Sequence, residues 1–511
     1  MRLQDRTTPR NRRLAHQILL GTAISVTGPV AAMAQTPDLT AQLNAQQQQI
    51  LQLQRQLQSM QKQLKAGQPG ATPSQAPAQV PVKAAAAGGP KVVETPNNRF
   101  FLSSADGLNT IGLTGRLHLD AGDYVSVRPD SKASAPSDLG NGFNARRARI
   151  GVTGQVDGVW GYGFIYDAGN SQDNTPKGIQ TAQISYNGFK KTAIEFGYSD
   201  TFFSLDEATS SNDIMFMERA TPGAIATSVA AGDFRSNAGF RTWDDRYWIG
   251  AYVTGPAQGQ THNLSAENFG AYQRATYQLL QGPDYSLHLG VGVSELFQAS
   301  NSGAGTANAI ALSDAPELRI DNTALLNTGT IGTIANPVTG GAVYNLESAA
   351  AYRSLFFQGE YFHYAIDRTG LKQANFDGGY GELSWTVTGE ARRYNPATGA
   401  YNGIIPFHDF TGGESGWGAW ELAARVSYIN LVDNFLTGQS IASQPSAING
   451  GKQTNITLGV NWYVNSNMRF MLNYVHGEFD KANPTAAAGA PLGSEIGTDF
   501  DAVAMRAQVA F

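Results

Sequence analysis

A strict alternation of apolar and polar residues is the feature that most constrains this chain, and it continues to the last residue. In DAVAMRAQVAF (501–511), Val503, Met505 and Val509 fall on one parity, whereas Arg506 and Gln508 fall on the other. Successive side chains of a β-strand point to opposite faces. The segment therefore predicts a strand with one apolar face and one small or polar face that carries an arginine.

Segments of this kind recur about sixteen times after residue 99. Examples are TIGLTGRLHLD (110–120), WGYGFIYDAG (160–169) and YSLHLGVGVSE (285–295). Their aromatic-rich apolar faces suit lipid, and the glycines and arginines of their polar faces suit a wet interior. Because lipid offers no hydrogen-bond partner to a sheet edge, such a sheet must close. We predict an all-β fold, a transmembrane antiparallel β-barrel of about 16 strands.

Composition agrees with this fold class. Charged residues make up 15% of the chain, whereas soluble domains average about 25%. No run of 18 apolar residues follows residue 34, which excludes transmembrane helices. The chain has no cysteine, so disulfides, thiolate zinc sites and cysteine nucleophiles are excluded as well.

The first 34 residues have the pattern of a secretory signal peptide. Arg10, Arg12 and Arg13 precede an apolar stretch that ends in the small-residue motif Ala32, Met33 and Ala34. Cleavage there would remove five arginines and one aspartate and change the formal charge from -5 to -9. A protein this acidic is not expected to bind nucleic acid by bulk electrostatics. A buried N-terminal helix is the alternative interpretation.

Residues 35–66 carry a heptad pattern and predict a coiled-coil helix before the barrel, on its periplasmic side. The core positions step by four and three residues, at Leu39, Leu43, Gln46, Ile50, Leu53, Leu57, Met60 and Leu64. A helix with such a seam needs partner helices, which predicts a homo-oligomer; a disordered Gln-rich tract is the alternative. Residues 67–98, rich in Pro, Ala and Gly, read as a linker, and residues 99–511 as the barrel.

Arginines recur on the polar parity of separate strands. They are candidate pore-lining residues that guide anions: Arg116, Arg147, Arg149, Arg274, Arg425, Arg469 and Arg506. The alternative is that each arginine pairs with a lumen carboxylate and braces the wall. Candidate partners of this kind are Glu195, Glu360, Glu382, Glu390 and Glu421.

Several stretches resemble the phosphate-selective porin O/P family of Gram-negative outer membranes. They are FNARRARIGVTGQV (143–156), GYSDTFFSLDEATSSNDIMFMERA (197–220), LSWTVTGEARRYNPATGAY (383–401), GAWELAARVSYINL (418–431) and VNWYVNSNMRFMLNYVHGEF (460–479). The resemblance implies an outer-membrane homo-trimer whose third extracellular loop folds inward to narrow the pore. The terminal Phe511 also looks like the signal read by the barrel-assembly machinery.

The constriction block departs from the family pattern. The resemblance implies lysines near the inward loop, but the candidate residues here are Arg219, Arg235, Asp206 and Glu207, and no lysine is present. An acidic loop mouth raises the barrier for a dianion. Anion preference is therefore expected, whereas selectivity for phosphate is open.

Motifs of catalysis, cofactor binding and metal binding are not evident. The seven histidines are scattered without paired ligand spacing. The polar stretch 299–341 is interpreted as a surface loop that could cover the mouth. The leading hypothesis is a passive porin without enzymatic activity or cofactor. Alternatives are a general, weakly selective porin with a periplasmic tether that touches peptidoglycan, and a barrel enzyme.

Overall fold

A computed structural model describes residues 89–94, 100–129, 139–169, 178–257, 266–412, 416–436, 443–482 and 495–511. The described residues all lie within Ala84–Phe511. The predicted signal peptide, the predicted coiled coil and most of the predicted linker lie outside the described residues. Part of the linker region is described, because Lys91–Glu94 forms a short strand, β1, that pairs with β2 (Phe100–Ser103).

Sixteen antiparallel strands close into a barrel, as the alternation predicted. The last strand pairs with the first, so that Arg506 lies opposite Asp120. The barrel strands are β3 (Thr110–Pro129), β4 (Gly142–Val156), β5 (Trp160–Asp167), β6 (Gly178–Phe189), β7 (Thr192–Asp200), β8 (Phe234–Trp243), β9 (Tyr247–Thr254), β10 (Phe269–Gln281), β11 (Tyr285–Gln298), β14 (Val338–Tyr352), β15 (Leu355–Arg368), β16 (Ala374–Thr386), β19 (Ala419–Asp433), β20 (Ile448–Tyr463), β21 (Met468–Ala482) and β22 (Glu495–Ala510).

The final strand follows the predicted parity. Val503 and Met505 are exposed on the outer face, whereas Arg506 is buried in the interior. The chain continues the ladder to its end, because Gly115 and Phe511 exchange two backbone hydrogen bonds, of 2.9 and 3.0 Å. The Phe511 ring covers Gly115, where a Cβ atom would lie only 2.2 Å from the ring. The terminal aromatic therefore packs over the closing seam of the barrel.

The connections differ in length at the two ends of the barrel. At one end, β4–β5, β6–β7, β8–β9 and β14–β15 are joined by tight turns, whereas long loops alternate with them at the other end. This asymmetry is typical of outer-membrane barrels, in which the short turns are periplasmic. We call these the turn end and the loop end. The exceptions are the segment 387–418, which lies at the turn end although it is long, and residues 369–373 between β15 and β16, which lie at the loop end although they are few.

The loop between β7 and β8, residues 201–233, lies inside the barrel, and we call it the inward loop. It contains α1 (Leu205–Ala208), capped by Ser204, and α2 (Thr221–Ser228), which has Pro222 in its first turn. Its backbone reaches distant strands, because Asn461 of β20 donates to the Met215 carbonyl at 2.9 Å and Gln508 of β22 donates to the Asn212 carbonyl at 3.1 Å. The loop thus crosses the lumen.

The prediction of a surface loop for residues 299–341 was wrong for its middle part. This part forms the hairpin β12 (Ile310–Asp314) and β13 (Leu326–Ile331), and Leu318 between them is fully buried. Glu317 reaches Arg425 of β19 at 2.6 Å and accepts the Thr221 amide of the inward loop at 3.0 Å. This part of the polar segment therefore packs inside the lumen rather than on the surface.

A second hairpin enters from the turn end. Residues 387–418 contain β17 (Tyr394–Asn395) and β18 (Ala400–Tyr401), and we call this segment the turn-end hairpin. Its tip is held by backbone carbonyls: Ala397 accepts from Arg241 at 2.7 Å and from Trp248 at 3.0 Å. Long segments therefore enter the lumen from both ends. Among the described residues, no helix is long and apolar enough to cross a bilayer.

Candidate pore

Three neighbouring cavities lie in series in the lumen between the loop end and the turn end, and we call them together the path. The upper cavity, of about 140 Å³, and the middle cavity, of about 260 Å³, share Arg147, Glu207, Arg219 and Asp233. The middle cavity and the lower cavity, of about 370 Å³, share Arg116, Ser210 and Asn212. Because neighbouring cavities share walls, they form one candidate pore along β3, β4 and the inward loop.

Four of the seven candidate arginines line these cavities. They are Arg116, Arg147, Arg149 and Arg469. Arg116 donates to the hydroxyls of Ser210 and Ser211 in the inward loop. Arg149 pairs with Asp167 at 2.7 Å and lies over the Phe234 ring. The hydroxyls and rings hold these guanidinium groups in place beside the path.

The other three arginines are buried under the inward segments in contact with carboxylates. Arg274 binds Glu347 at 2.8 and 2.9 Å and donates to the Gly399 carbonyl of the turn-end hairpin. Arg425 pairs with Glu317 at 2.6 Å. Arg506 binds both oxygens of Asp120 at 2.7 Å. Arg274, Arg425 and Arg506 therefore match the alternative in which the arginine pairs with a lumen carboxylate, whereas the anion-guiding role of the four arginines beside the cavities stays a prediction.

Among the residues predicted to form the constriction, Arg219 and Glu207 line cavities, whereas Arg235 is buried in the wall. Arg219 of the inward loop lies 3.2 Å from Glu207 and 4.0 Å from Asp206, both of α1. Arg219 and Glu207 line the upper and middle cavities. Arg235 lies on β8, beyond the inward loop, is fully buried, and donates to the Gly232 carbonyl at 2.7 Å. Arg235 therefore holds the C-terminal end of the inward loop against β8.

The candidate carboxylates also differ in their partners. Glu195 pairs with Arg241 at 3.1 Å, and Glu421 pairs with Arg392 at 2.9 Å. Glu360 instead accepts the backbone amides of Leu205 and Asp206 at 2.8 and 3.0 Å, which anchors α1 to β15. Glu360 and Glu421 therefore hold the inward segments, whereas Glu382 lies 3.8 Å from the candidate arginine Arg425.

Alternation alone missed Arg146. A register shift between β3 and β4 places Leu117 opposite Ala148 and His118 opposite Arg147, but Leu119 opposite Ala145. Arg146 is the extra residue of this bulge, and it also points inward, where it binds Glu218 at 2.8 Å through two nitrogens. The sequence RRAR has arginine on both parities, so no signal in it distinguishes a bulge from a regular strand.

The comparison with known families decides the assignment. The family model described as phosphate-selective porin O and P matches residues 111–511. The chain belongs to this porin family. Porin O of Pseudomonas aeruginosa is 25% identical over 350 residues, which cover 66% of this chain and 76% of the relative. An uncharacterized protein of Caulobacter vibrioides is 27% identical over 428 residues, 82% of this chain and 76% of that protein.

Solved porin structures align with this chain at lower sequence identity. OmpT of Vibrio cholerae, folded in vitro in a trimer form, aligns with a TM-score of 0.44 at 13% identity and covers 79% of this chain and 99% of its own. An anion-selective porin from Comamonas acidovorans aligns with a TM-score of 0.43 at 12% identity and covers 79% of this chain and all of its own. The family assignment places this porin in the outer membrane.

The carboxyl groups of the inward loop are in contrasting electrostatic environments. Burial would raise the pKa of Glu218, but Arg146 and Arg506 hold it well below its usual range. Burial raises the pKa of Glu207 well above its ordinary value, although Arg219 opposes the shift. Glu218 therefore carries a charge that arginines balance, and protonation of Glu207 leaves the charge of Arg219 to act on the path.

We expect the anion preference of this porin to fall as the pH rises. Below the raised pKa Glu207 is neutral, whereas above it an ionised Glu207 cancels Arg219. The folded protein favours protonated Glu207, so Glu207 stabilises the fold at low pH. This stabilisation is lost as the pH rises through the raised pKa. Glu207→Gln should keep the anion preference of acidic solution across the range. Reversal potentials at stepped pH measure this, and an unchanged pH profile in the variant would contradict it.

Proposed function

We propose that this protein is a passive outer-membrane porin that passes small anions, phosphate among them, through the path of three cavities. The observation that carries the proposal is the succession of arginines beside that path: Arg147 and Arg219 where the upper and middle cavities meet, Arg116 where the middle and lower cavities meet, and Arg469 below. Guanidinium groups bind oxoanions with planar, paired hydrogen bonds.

The fixed orientation of Arg116 and Arg149 supports their proposed role in attracting anions. The inward loop supplies the hydroxyls of Ser210 and Ser211 to Arg116, and the Phe234 ring lies against Arg149. A charged wall of low dielectric focuses the field on a narrow path and raises the local concentration of the attracted ion. The arginines therefore favour entry of anions without forming a closed binding pocket.

The solute range is proposed to be broader than phosphate. None of the residues lining the three described cavities is a lysine. Acidic side chains also line the path, including Glu207 and Asp233. A path with mixed charges binds a dianion less tightly than a purely basic one. We propose a homo-trimer as the assembled form, which the heptad pattern of residues 39–64 supports.

Reversal potentials in a salt gradient test the proposal. In a tenfold gradient of potassium chloride across a planar bilayer, the wild-type channel should give a potential of the sign set by chloride. The sign should stay the same when potassium phosphate replaces chloride, because the arginines act on charge. Cation preference in both salts, or the lack of any conductance from correctly folded protein, would rule out an anion porin.

A further inference from the structure

The turn-end hairpin passes over the rim of the barrel as it leaves the lumen. Ile404 is buried against Tyr463 and lines the lower cavity. A few residues later, the centroid of the Phe410 ring lies 5.2 Å from that of Trp462. Trp462 lies between Asn461 and Tyr463, which are both buried inside the barrel, so its side chain points to the outer face. The chain therefore passes from the lumen to the outer wall between Ile404 and Phe410.

Two hydrogen bonds fix the outer part of this stretch to the end of β20. The Phe410 amide donates to the Val464 carbonyl at 2.8 Å. The Trp462 indole Nε1 donates to the Trp417 carbonyl at 2.9 Å. We call residues 405–412 and 416–417 the rim segment. Because both bonds use backbone atoms of the rim segment, they do not depend on the side chains that the rim segment carries.

The rim segment exposes large apolar side chains. The exposed fractions are 49% for Ile405, 63% for Phe407 and 72% for Trp417. Rings of the neighbouring outer wall are less exposed, with 38% for Trp420 and 41% for Phe470. A contiguous exposed apolar patch of this kind is typical of a surface that contacts a membrane or another molecule.

The aromatic rings of the outer wall continue directly into the rim segment. Trp420, Trp462 and Phe470 lie on the neighbouring strands β19, β20 and β21 and form a stacked row. Their ring centroids are 5.5 and 5.6 Å apart, with interplanar angles of 15° and 25°. Phe410 packs edge-on against the middle ring of this row. Aromatic side chains near the end of a barrel form the belt at the membrane–water interface. The rim segment is therefore continuous with the surface that meets lipid.

We infer that the rim segment binds the phospholipids of the periplasmic leaflet and thereby holds the turn-end hairpin across the rim. Its Phe and Trp rings suit the boundary between acyl chains and headgroups, whereas the exposed His408 and Asp409 suit the headgroups. The tip of the hairpin is held separately inside the lumen, where Arg241 and Trp248 donate to the Ala397 carbonyl. The hairpin thus has one attachment to the wall and one to the membrane.

This contact goes beyond the passage of solutes, because it links the membrane to the wall of the channel. Ile404 lines the lower cavity, and the next residue, Ile405, belongs to the rim segment. A displacement of the rim segment from the lipid therefore displaces a residue of the cavity wall. Lipid contact is expected to keep the lower cavity in one shape.

The depth of nitroxide labels in the membrane tests the contact. The chain has no cysteine, so Phe407→Cys and Trp417→Cys can each be labelled alone in protein reconstituted into vesicles of phosphatidylethanolamine and phosphatidylglycerol. Oxygen concentrates in the bilayer and a nickel chelate in water, so the ratio of their effects on the label reports depth. Leu458→Cys, on the outer wall, is the lipid reference, and Asp245→Cys, in the β8–β9 turn, is the water reference.

The ratio of oxygen to nickel accessibility at both rim positions should lie well above that of Asp245→Cys and close to that of Leu458→Cys. Ratios equal to that of Asp245→Cys would place the rim segment in water and overturn the inference. Exclusion of both reagents, with spectra that broaden only in fully labelled protein, would show that a second copy of the chain covers the rim segment, and the inference would also be wrong.

Single-channel recordings test whether the contact holds the hairpin. Phe407→Ser with Trp417→Ser keeps the two backbone attachments, and transitions between conductance levels should become roughly tenfold more frequent. The matched control, Phe143→Ser with Phe297→Ser, removes two exposed rings near the loop end and should record like the wild type. Quiet channels in the rim variant would overturn the holding role. Neither measurement depends on the ion preference, so a failure of the anion porin proposal is distinguishable from a failure here.

Discussion

Replacement of Arg506 by methionine is expected to detach the middle of the inward loop and to lower the free energy of unfolding by about 3–5 kcal/mol. Arg506 binds both oxygens of Asp120 at 2.7 Å and one oxygen of Glu218 at 2.7 Å, and it donates to the Met217 carbonyl. Asp120 is fully buried. Without the guanidinium, Asp120 would keep its charge in a site with little access to water.

Two measurements test the effect of Arg506→Met on stability and on the inward loop. Urea unfolding of the protein refolded in lipid vesicles gives the change in free energy, and single-channel recordings give the behaviour of the loop. We expect larger open-channel fluctuations in Arg506→Met, because Met217 and Glu218 lose a contact with the wall. Stability within about 1 kcal/mol of the wild type, together with quiet channels, would show that the loop does not depend on this arginine.

The matched control removes both charges. In Arg506→Met with Asp120→Leu, no buried carboxylate is left without an arginine partner, and apolar groups of similar volume replace the pair. Glu218 keeps Arg146, which binds it through two nitrogens at 2.8 Å. Most of the lost stability should therefore return. A double variant as unstable as the single one would mean that the pair itself, rather than the stranded charge, supplies the stability.

Replacement of Arg147 by glutamine should have the largest effect on ion selectivity. Arg147 lines both the upper and the middle cavity, and its guanidinium lies 3.5 Å from His118 Nδ1. A charge at a few ångströms from the path, in a medium of intermediate dielectric, changes the energy of a monovalent ion by about 1–2 kcal/mol. The ratio of anion to cation permeability should fall roughly tenfold. Reversal potentials give this ratio directly.

The lysine variant separates charge from shape at this position. Arg147→Lys keeps the charge and should keep most of the anion preference, although it loses the planar arrangement of donors. Arg353→Gln, at the β14–β15 turn and outside the lumen, should leave the ratio unchanged. Equal ratios in Arg147→Gln and the wild type would remove Arg147 from the set of residues that attract anions.

The strands and the direction of their side chains could be predicted from the sequence. Period-two alternation has a simple cause, because one face meets lipid and the other meets the lumen, and each barrel strand repeats this choice. The parity of Arg274, Arg425 and Arg506 was enough to place them inside, where all three are buried. Whether an inward arginine would lie beside the path or under a loop depended on contacts between distant segments.

The course of the long segments could not be predicted in the same way. Residues 299–341 and the turn-end hairpin are polar and carry few charges, which suits a surface loop. A water-filled lumen is also polar, so the same composition suits a segment that folds inside. Arg146 shows a second limit, because one extra residue in β4 reverses the parity without changing the residue types.

The middle cavity of the path lies against β3 to β7 and the lower cavity against β20 to β22, whereas Phe362 of β15 and Gly378 of β16 contact the inward loop through Phe203 and Pro222. The strands β15 and β16 therefore support the loop without lining the three cavities. A relative could exchange its preferred solute through a few substitutions in the strands that line the cavities, while β15 and β16 stay the same. A chimera that receives only the cavity-lining strands of a relative should therefore also acquire the ion preference of that relative.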